Sequence, residues 1–382
     1  MTGRAVSNIK NRHIKYLGIS LGVFAYYAGA LSIFLWLASA LILGVLVRRL
    51  PNWFMAYAVL LIVFFGLRIL LEAGATEDIL RDARFYWGFV IFLPFFISEQ
   101  RRLGNHYSDY AVLFRLLINL FLILLLVEYL TSNYLDLEWP NRSHELGVDL
   151  ETSSFARAYG FGGNATVTSA LLIALGALLY AGKYLRDIAT LGLATSGTGL
   201  LVFLLKSALM LKTRHLLVAA VLFVVFYITV WEGLLESGLH DLYGALGKFS
   251  LDYMDAVLDF KYEQYQSVMA EINEFQLFFG QAFSDTDHRT GDFQMLDFLT
   301  FNGLAGVGML ALIAAKCMNK TNRIPLFLLL VASLHYQVIF SLPGQILFAW
   351  LLTVGMRAPH RRYQSTHPVA VNAMADPLAA RG

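Results

Sequence analysis

The sequence predicts an all-α, polytopic integral membrane protein with about 12 transmembrane helices and a large helical loop on its outer face. Three observations predict it. Hydrophobic residues make up 58% of the 382-residue chain and charged residues 15%, and the mean hydropathy is +0.60, too apolar for a soluble globular protein. Continuous apolar runs long enough to cross about 30 Å of hydrocarbon recur along the chain. Basic residues collect at alternate turns between the runs, as on the cytoplasmic side of membrane proteins.

The N-terminal region predicts a cytoplasmic N-terminus followed by two short spans. Four basic residues precede the first apolar run: Arg4, Lys10, Arg12 and Lys15. Residues 16–47 are uncharged and too long for one ordinary span. Residues 28–30, Ala-Gly-Ala, predict a tight turn that returns Arg48 and Arg49 to the cytoplasm.

Further spans are predicted at about residues 53–71, 85–98, 107–130 and 165–181. Residues 131–164 carry five acids and two bases and form the first long outer loop. The apolar run 188–211 is interrupted at residues 196–199, Ser-Gly-Thr-Gly. A broken pair of short helices keeps the following bases inside, and we expect the break to line a cavity, because irregular backbone at membrane depth needs protein or water around it.

The second half of the chain is organised around its large outer loop. From Glu232 to Asp297 the sequence holds twelve acids beyond Glu232 and only three bases. We therefore predict an N-terminal transmembrane bundle (1–231, with the outer loop 131–164), a large outer loop (232–298), C-terminal transmembrane helices (299–357) and a disordered cytoplasmic tail (358–382). Arg68, Glu128 and Lys206 stand near the ends of apolar runs, where we expect them to reach the membrane surface.

Several classes of site are excluded by composition. The single cysteine, Cys317, allows no internal disulfide and no cysteine-rich metal site. The nine histidines are scattered along the chain, so no metal site is predicted. The phosphate-binding glycine motifs of nucleotide enzymes are absent, and so are basic patches with interleaved aromatic residues, so no cofactor and no nucleic-acid partner are expected.

Arg157 is the first candidate for binding an anion. It stands just before a predicted span, close to the outer membrane surface, where the diphosphate of a lipid headgroup would lie. An arginine fork binds phosphate oxygens through paired hydrogen bonds. The glycines of residues 160–163 would allow close approach of the headgroup, and Asn164 is placed to cap the following helix. The alternative is an interfacial arginine paired with Glu151 or with a phospholipid.

The end of the large loop carries a second group of candidates. If the chain is helical from about Asp287, His288 and Asp292 lie four residues apart on one face, and Arg289 lies three before Asp292. A carboxylate or imidazole there could accept a proton from a sugar hydroxyl, and the arginine could hold a leaving phosphate. Alternatively, Arg289 forms an exposed ion pair with Asp285, and Asp292 only stabilises a helix N-terminus.

Pieces of the sequence resemble, in order, the O-antigen polymerase and O-antigen ligase superfamily of membrane glycosyltransferases. The run RAYGFGGNA (157–165) is similar to the family's arginine, glycine, phenylalanine and asparagine run before a span. The run ATSGTGLLVFLL (194–205) resembles its Ser/Gly-rich break between two short helices.

Two further pieces lie in and after the large loop. Lys261 and Tyr265 stand where the family has arginine and tryptophan at the opening of its large periplasmic loop, and Gly280 follows them. The loop closes at Asp292 with FNGLAGVG (301–308) after it. Family ligases carry histidine at the closing position, so Asp292 favours a polymerase, while Lys261 keeps the positive charge of arginine but loses its fork.

The resemblance implies a metal-independent glycosyltransferase in the bacterial cytoplasmic membrane, with both termini cytoplasmic and the active face periplasmic. The donor would be an oligosaccharide on undecaprenyl diphosphate, and the acceptor a lipid-linked repeat unit. Arg157 and Arg289, with Lys261, Asn164 and Tyr265 as further contacts, would bind the diphosphate or substrate, and Asp292 or His288 would act as the base. A chain-length regulator is an implied partner. The alternatives are an O-antigen ligase acting on lipid A core and, from another class, a polysaccharide or lipid transporter.

Overall fold

The computed structural model describes residues 2–71, 76–103, 107–135, 137–141, 157–180, 184–194, 196–210, 225, 251–281 and 293–356. Within these ranges the chain forms helices and no strand, which confirms the all-α prediction for this part of the protein. The helices are α1 (Thr2–Val23), α2 (Ser32–Val45), α3 (Asn52–Leu70), α4 (Thr76–Trp87), α5 (Phe89–Leu103), α6 (Tyr107–Tyr134), α7 (Ala165–Leu179), α8 (Leu185–Ala194), α9 (Gly197–Met210), α10 (Leu251–Glu271), α11 (Glu274–Phe279), α12 (Gln294–Cys317), α13 (Arg323–His335) and α14 (Leu342–Thr353).

Four helical segments in the described part of the chain are long and apolar enough to cross a membrane: Ala25–Val45, Asn52–Leu70, Tyr110–Tyr134 and Gln294–Cys317. Five shorter apolar helices accompany them: Phe89–Gln100, Ala165–Leu179, Gly197–Met210, Arg323–His335 and Leu342–Thr353. These lengths and compositions support a helical membrane protein. The count of about 12 spans and the direction of each stay predictions. The large loop is helical over α10 and α11, and the predicted disordered tail lies outside the described residues.

The predicted turn at residues 28–30 is present. A short 3-10 segment, Ala25–Leu31, follows α1, and Gly29 within it has a φ of 55°, which favours glycine. The two helices then pack antiparallel, since Gly18 of α1 lies against Leu43 of α2 and Gly22 lies against Ser39. A side chain at Gly22 would stand 2.7 Å from the Ser39 hydroxyl, so these glycines allow the two helices to approach closely.

The predicted break near residues 196–199 is also confirmed. Helix α8 ends at Ala194 and α9 begins at Gly197, with the Ser196 hydroxyl accepting a hydrogen bond from the Gly199 amide at 3.0 Å. The Ser196 hydroxyl also donates to the Thr166 hydroxyl on α7 at 3.1 Å, so protein covers the break. Helix α9 runs back along α8, because Lys206 near the end of α9 binds Asp187 at the start of α8.

Helix α12 is bent where the chain of the large loop crosses it. Gly303 inside the helix has φ 63° and ψ −175°, and Gly280, just after α11, has a φ of 79°. Backbone meets backbone here: a Cβ at Gly303 would lie 2.3 Å from the Phe278 carbonyl oxygen. The Gln281 amide donates to the Thr300 carbonyl at 2.9 Å, which gives a partner to a carbonyl at the bend.

The expectation that Arg68, Glu128 and Lys206 reach the membrane surface is wrong. All three side chains are 0% exposed. Each is covered by a neighbouring element of the protein, and for Lys206 and Glu128 that element also supplies hydrogen-bonding groups. Burying a charged side chain lowers the stability of the folded protein unless other groups pair with it or hydrogen-bond to it. The contacts of each of these three residues are therefore described below.

Candidate functional site

The loop that carries Arg157 is an ordered turn at one end of the helix bundle. We call residues 157–164 the arginine loop. Its centre, Gly160–Gly162, is a single 3-10 turn, and Gly160 and Gly163 have positive φ values of 66° and 69°. The loop ends at Asn164, whose side-chain oxygen accepts a hydrogen bond from the Thr166 amide at 2.7 Å. Asn164 is therefore the N-cap of α7, as the sequence predicts.

A buried carboxylate on α6 holds the arginine loop by its backbone. Glu128 accepts hydrogen bonds from the Tyr159 amide at 2.8 Å and from the Gly160 amide at 2.9 Å. It accepts a third from the Asn141 side-chain amide at 3.1 Å, and the same amide donates to the Gly160 carbonyl at 2.9 Å. Each hydrogen bond to a charged group contributes about 1.5–3 kcal/mol, so the carboxylate fixes the backbone two residues after Arg157.

Two further contacts tie the arginine loop to α7 and α8. The Thr168 hydroxyl donates to the Tyr159 carbonyl and accepts from the Gly162 amide at 2.9 Å. The Ala158 amide donates to the carbonyl of Leu193, near the end of α8, at 3.1 Å. The backbone on the C-terminal side of Arg157 is therefore held by three separate helices. The side chain of Arg157 is half-buried, and it extends from a backbone whose following residues are fixed by these hydrogen bonds.

The loop glycines make room for protein atoms. A Cβ at Gly160 would lie 2.6 Å from the Thr168 methyl, and one at Gly162 would lie 2.7 Å from the Thr168 hydroxyl. A Cβ at Gly163 would lie 3.1 Å from the ring of Tyr26. Side chains of the protein therefore fill the space beside these glycines, where the sequence predicts the approach of a lipid headgroup. The glycines allow close packing of the loop against α7 and Tyr26.

Aromatic residues join the arginine loop to the beginnings of α14 and α12. The Phe161 ring stacks on Phe121 of α6 at 4.0 Å. Tyr26, which packs against Gly163, accepts a long hydrogen bond of 3.5 Å from the Leu342 amide. Phe340, two residues earlier in the chain, stacks on Phe298 of α12 with centroids 5.3 Å apart. The arginine loop and the first turns of α12 therefore lie at the same end of the bundle.

The large loop brings Lys261 to the start of α12. The Lys261 ammonium lies 5.6 Å from the Phe293 ring and 5.8 Å from that of its neighbour Phe260. Phe293 directly follows the predicted base Asp292 in the chain, so one predicted cation lies near the point where that residue joins α12. Tyr265, one turn further along α10, is 43% exposed.

The other predicted site residues lie outside the described part of the chain. Asp292, His288 and Arg289 all fall in the undescribed range 282–292, so their shared helix face stays a prediction. Among the described residues, no group of three or more His, Cys, Asp or Glu side chains is placed to hold a metal ion.

Sequence reasoning missed the residues that build the arginine loop. In the sequence Glu128 is a single acid inside a long apolar run, and the prediction that it reaches the membrane surface gives it no partner in the protein. In the fold it accepts hydrogen bonds from the backbone of the arginine loop. Asn141 and Thr168 carried no signal, because their partners become adjacent only in the folded protein.

The apolar helices indicate a helical membrane protein, and at one end of its bundle hydrogen bonds hold the backbone that follows Arg157. Comparison of the chain with family models, with curated proteins and with solved structures finds no match in any of the three.

Proposed function

We propose that this protein is a bacterial surface-polysaccharide polymerase. It transfers a glycan from undecaprenyl diphosphate to the non-reducing end of a lipid-linked repeat unit at the periplasmic face of the cytoplasmic membrane. The proposal rests on the resemblance of residues 157–165, 194–205, 261–280 and 292–308 to the O-antigen polymerase and ligase superfamily.

The observation that carries the proposal is the fixed backbone of the arginine loop. A departing diphosphate gains negative charge, and cations stabilise it most when they are already in place and need not reorganise. Glu128, Thr168 and Leu193 hold the residues that follow Arg157. Binding residues are disproportionately found on loops that a rigid scaffold positions, and the arginine loop is such a loop.

In the proposed reaction the acceptor hydroxyl oxygen attacks the anomeric carbon of the donor sugar. Its proton passes to Asp292 or His288, and the bond from the anomeric carbon to the diphosphate oxygen breaks. Arg157 and Arg289 bind the diphosphate that leaves, and Lys261 adds positive charge near the start of α12. Because the diphosphate is an activated leaving group, the protein mainly positions the substrates and stabilises charge.

Substitution of Arg157 tests the role of the arginine loop. Arg157→Ala abolishes polymer formation while the protein still folds, because its side chain is only half buried and the loop backbone keeps its hydrogen bonds. Arg157→Lys keeps the charge without the fork and restores only part of the activity. The measurement is the length of surface glycan in cells that carry only the variant. Arg115→Ala, which removes an exposed arginine of α6, is the matched control. Normal polymer from Arg157→Ala would show that the diphosphate assignment is wrong.

The glycans of a strain that lacks the gene distinguish the related functions. Single repeat units on the lipid carrier, with surface polymer lost, support the polymerase. Full-length polymer left on the carrier indicates a ligase. Cytoplasmic intermediates that accumulate while outward-facing ones stay normal indicate a transporter.

A further inference from the structure

Arg68, in the last turn of α3, is a buried arginine that the proposed reaction does not use. Its side chain is 0% exposed and is among the largest fully buried side chains in the described part of the protein. None of its three guanidinium nitrogens has a hydrogen-bond partner among the described residues. Buried arginines in proteins are ordinarily paired, because an unpaired buried charge is strongly unfavourable.

The surroundings of Arg68 compensate its charge only in part. The guanidinium carbon lies 5.7 Å from the Phe64 ring and 5.9 Å from the Phe65 ring, so aromatic faces flank it. Asp82 of α4 attracts the guanidinium electrostatically but does not hydrogen-bond to it. The Asp82 carboxylate also lies 3.9 Å from the Arg81 side chain, which binds Asp78 at 2.9 Å.

The position of Arg68 links it to the bent helix α12. The Phe65 ring packs against Trp87 with centroids 6.5 Å apart. The indole nitrogen of Trp87 donates to the Asn302 side chain at 2.9 Å, one residue before the bend at Gly303. An anion bound at Arg68 would therefore lie where α3, α4 and the first half of α12 meet.

We propose that Arg68 binds an oxyanion of the phosphate class between the packed helices α3 and α4, beside Phe64, Phe65 and Asp82. A guanidinium presents five N–H donors in a planar fork that matches two phosphate oxygens. Arginine holds such a charge in a weakly polar site better than lysine, since its charge is delocalised and weakly hydrated. The phosphate belongs either to a lipid headgroup or to free phosphate, and the site does not depend on the proposed glycosyl transfer.

Thermal unfolding of the purified full-length protein tests the proposal. The protein is freed of phospholipid in an uncharged detergent, and its unfolding temperature is then measured with phosphatidylglycerol, with inorganic phosphate and with uncharged diacylglycerol. A ligand that binds only the folded protein raises the unfolding temperature. Phosphate-bearing ligand raises it for the natural protein and not for Arg68→Met, whereas diacylglycerol has the same effect on both. Arg115→Met, which removes an exposed arginine, keeps the full response.

The ligands separate the two sources of phosphate. A response to phosphatidylglycerol alone identifies a lipid headgroup, and a response to both probes identifies a site that free phosphate also reaches.

Two results would overturn the proposal: no response of the natural protein to either phosphate probe, or an equal response of Arg68→Met. If Arg68→Met does not fold, Arg68→Lys decides the matter, since it keeps the charge and loses the fork. A response of Arg68→Lys as strong as that of arginine would then exclude paired binding of an oxyanion.

Discussion

Two carboxylates, Glu128 on α6 and Asp187 on α8, are buried, and the protein compensates their negative charges in different ways. Asp187 binds the ammonium of Lys206 at 2.5 Å, and both side chains are almost fully buried. Gly176 of α7 leaves room for this pair, since a Cβ there would lie 3.1 Å from the Asp187 carboxylate. Glu128 instead accepts hydrogen bonds from two backbone amides of the arginine loop and from the Asn141 side chain.

The difference teaches which buried charge can be replaced. An ion pair between two side chains can give way to an apolar pair of similar volume with little loss, because both charges leave together. The Tyr159 and Gly160 amides belong to the backbone and cannot be removed by substitution. Without Glu128 they would be buried donors that lack an acceptor, so the carboxylate is tied to the loop that it holds.

The largest expected effect comes from breaking the Asp187–Lys206 pair. Lys206→Met leaves a buried carboxylate without its cation and lowers the free energy of unfolding by about 3–5 kcal/mol. The double variant Asp187→Leu/Lys206→Met regains most of that loss, because both buried charges leave together. Thermal unfolding of the purified variants measures both. A double variant as unstable as Lys206→Met alone would show that the pair does more than join α8 to α9.

Glu128→Gln is expected to have the next largest effect. The neutral amide places an N–H group where one backbone donor needs an acceptor, and the free energy of unfolding falls by about 1.5–3 kcal/mol. Under the proposed function polymer length falls as well, because the arginine loop is no longer fixed. In contrast to the Asp187–Lys206 pair, the apolar double variant Glu128→Leu/Asn141→Leu does not recover stability. If this double variant recovered the stability of the natural protein, Glu128 would be as replaceable as the Asp187–Lys206 pair, and the proposed difference between the two carboxylates would be wrong.

Thr168→Val is expected to have the smallest effect. It removes the hydroxyl that joins the Tyr159 carbonyl to the Gly162 amide, and it lowers the free energy of unfolding by about 1 kcal/mol. Thr190→Val is the control, since that buried hydroxyl only donates to the Arg186 carbonyl one turn earlier in the same helix. Equal losses from both variants would mean that the Thr168 hydroxyl does not order the arginine loop.

The features that the sequence predicts correctly are set by neighbouring residues. Asn164 caps α7 through an amide two positions away, and Gly29 turns the chain through its own φ angle. The break before α9 is formed by Ser196 and the glycines beside it. Such signals depend on local backbone chemistry, so one sequence is enough to find them.

The features that the sequence does not predict depend on residues that meet only in the fold. Glu128 lies 31 residues before Tyr159, and Trp87 lies 215 residues before Asn302. Residue type and spacing carry no record of such pairs. Arg68 is hidden for the same reason, because its burial depends on α4 as well as on its own helix. The proposed base, Asp292 or His288, stays a prediction from the sequence.

The crossing of Gly280 and Gly303 also determines where a reporter group can be attached. Neither glycine accepts a side chain, because a Cβ at either would lie within 2.3 Å of backbone atoms of the other segment. Phe278, two residues before Gly280, is 51% exposed, and the natural Cys317 at the far end of α12 is buried. A cysteine introduced at Phe278 would therefore be the thiol that a fluorophore reaches first. Its signal would report on the contact between the large loop and α12.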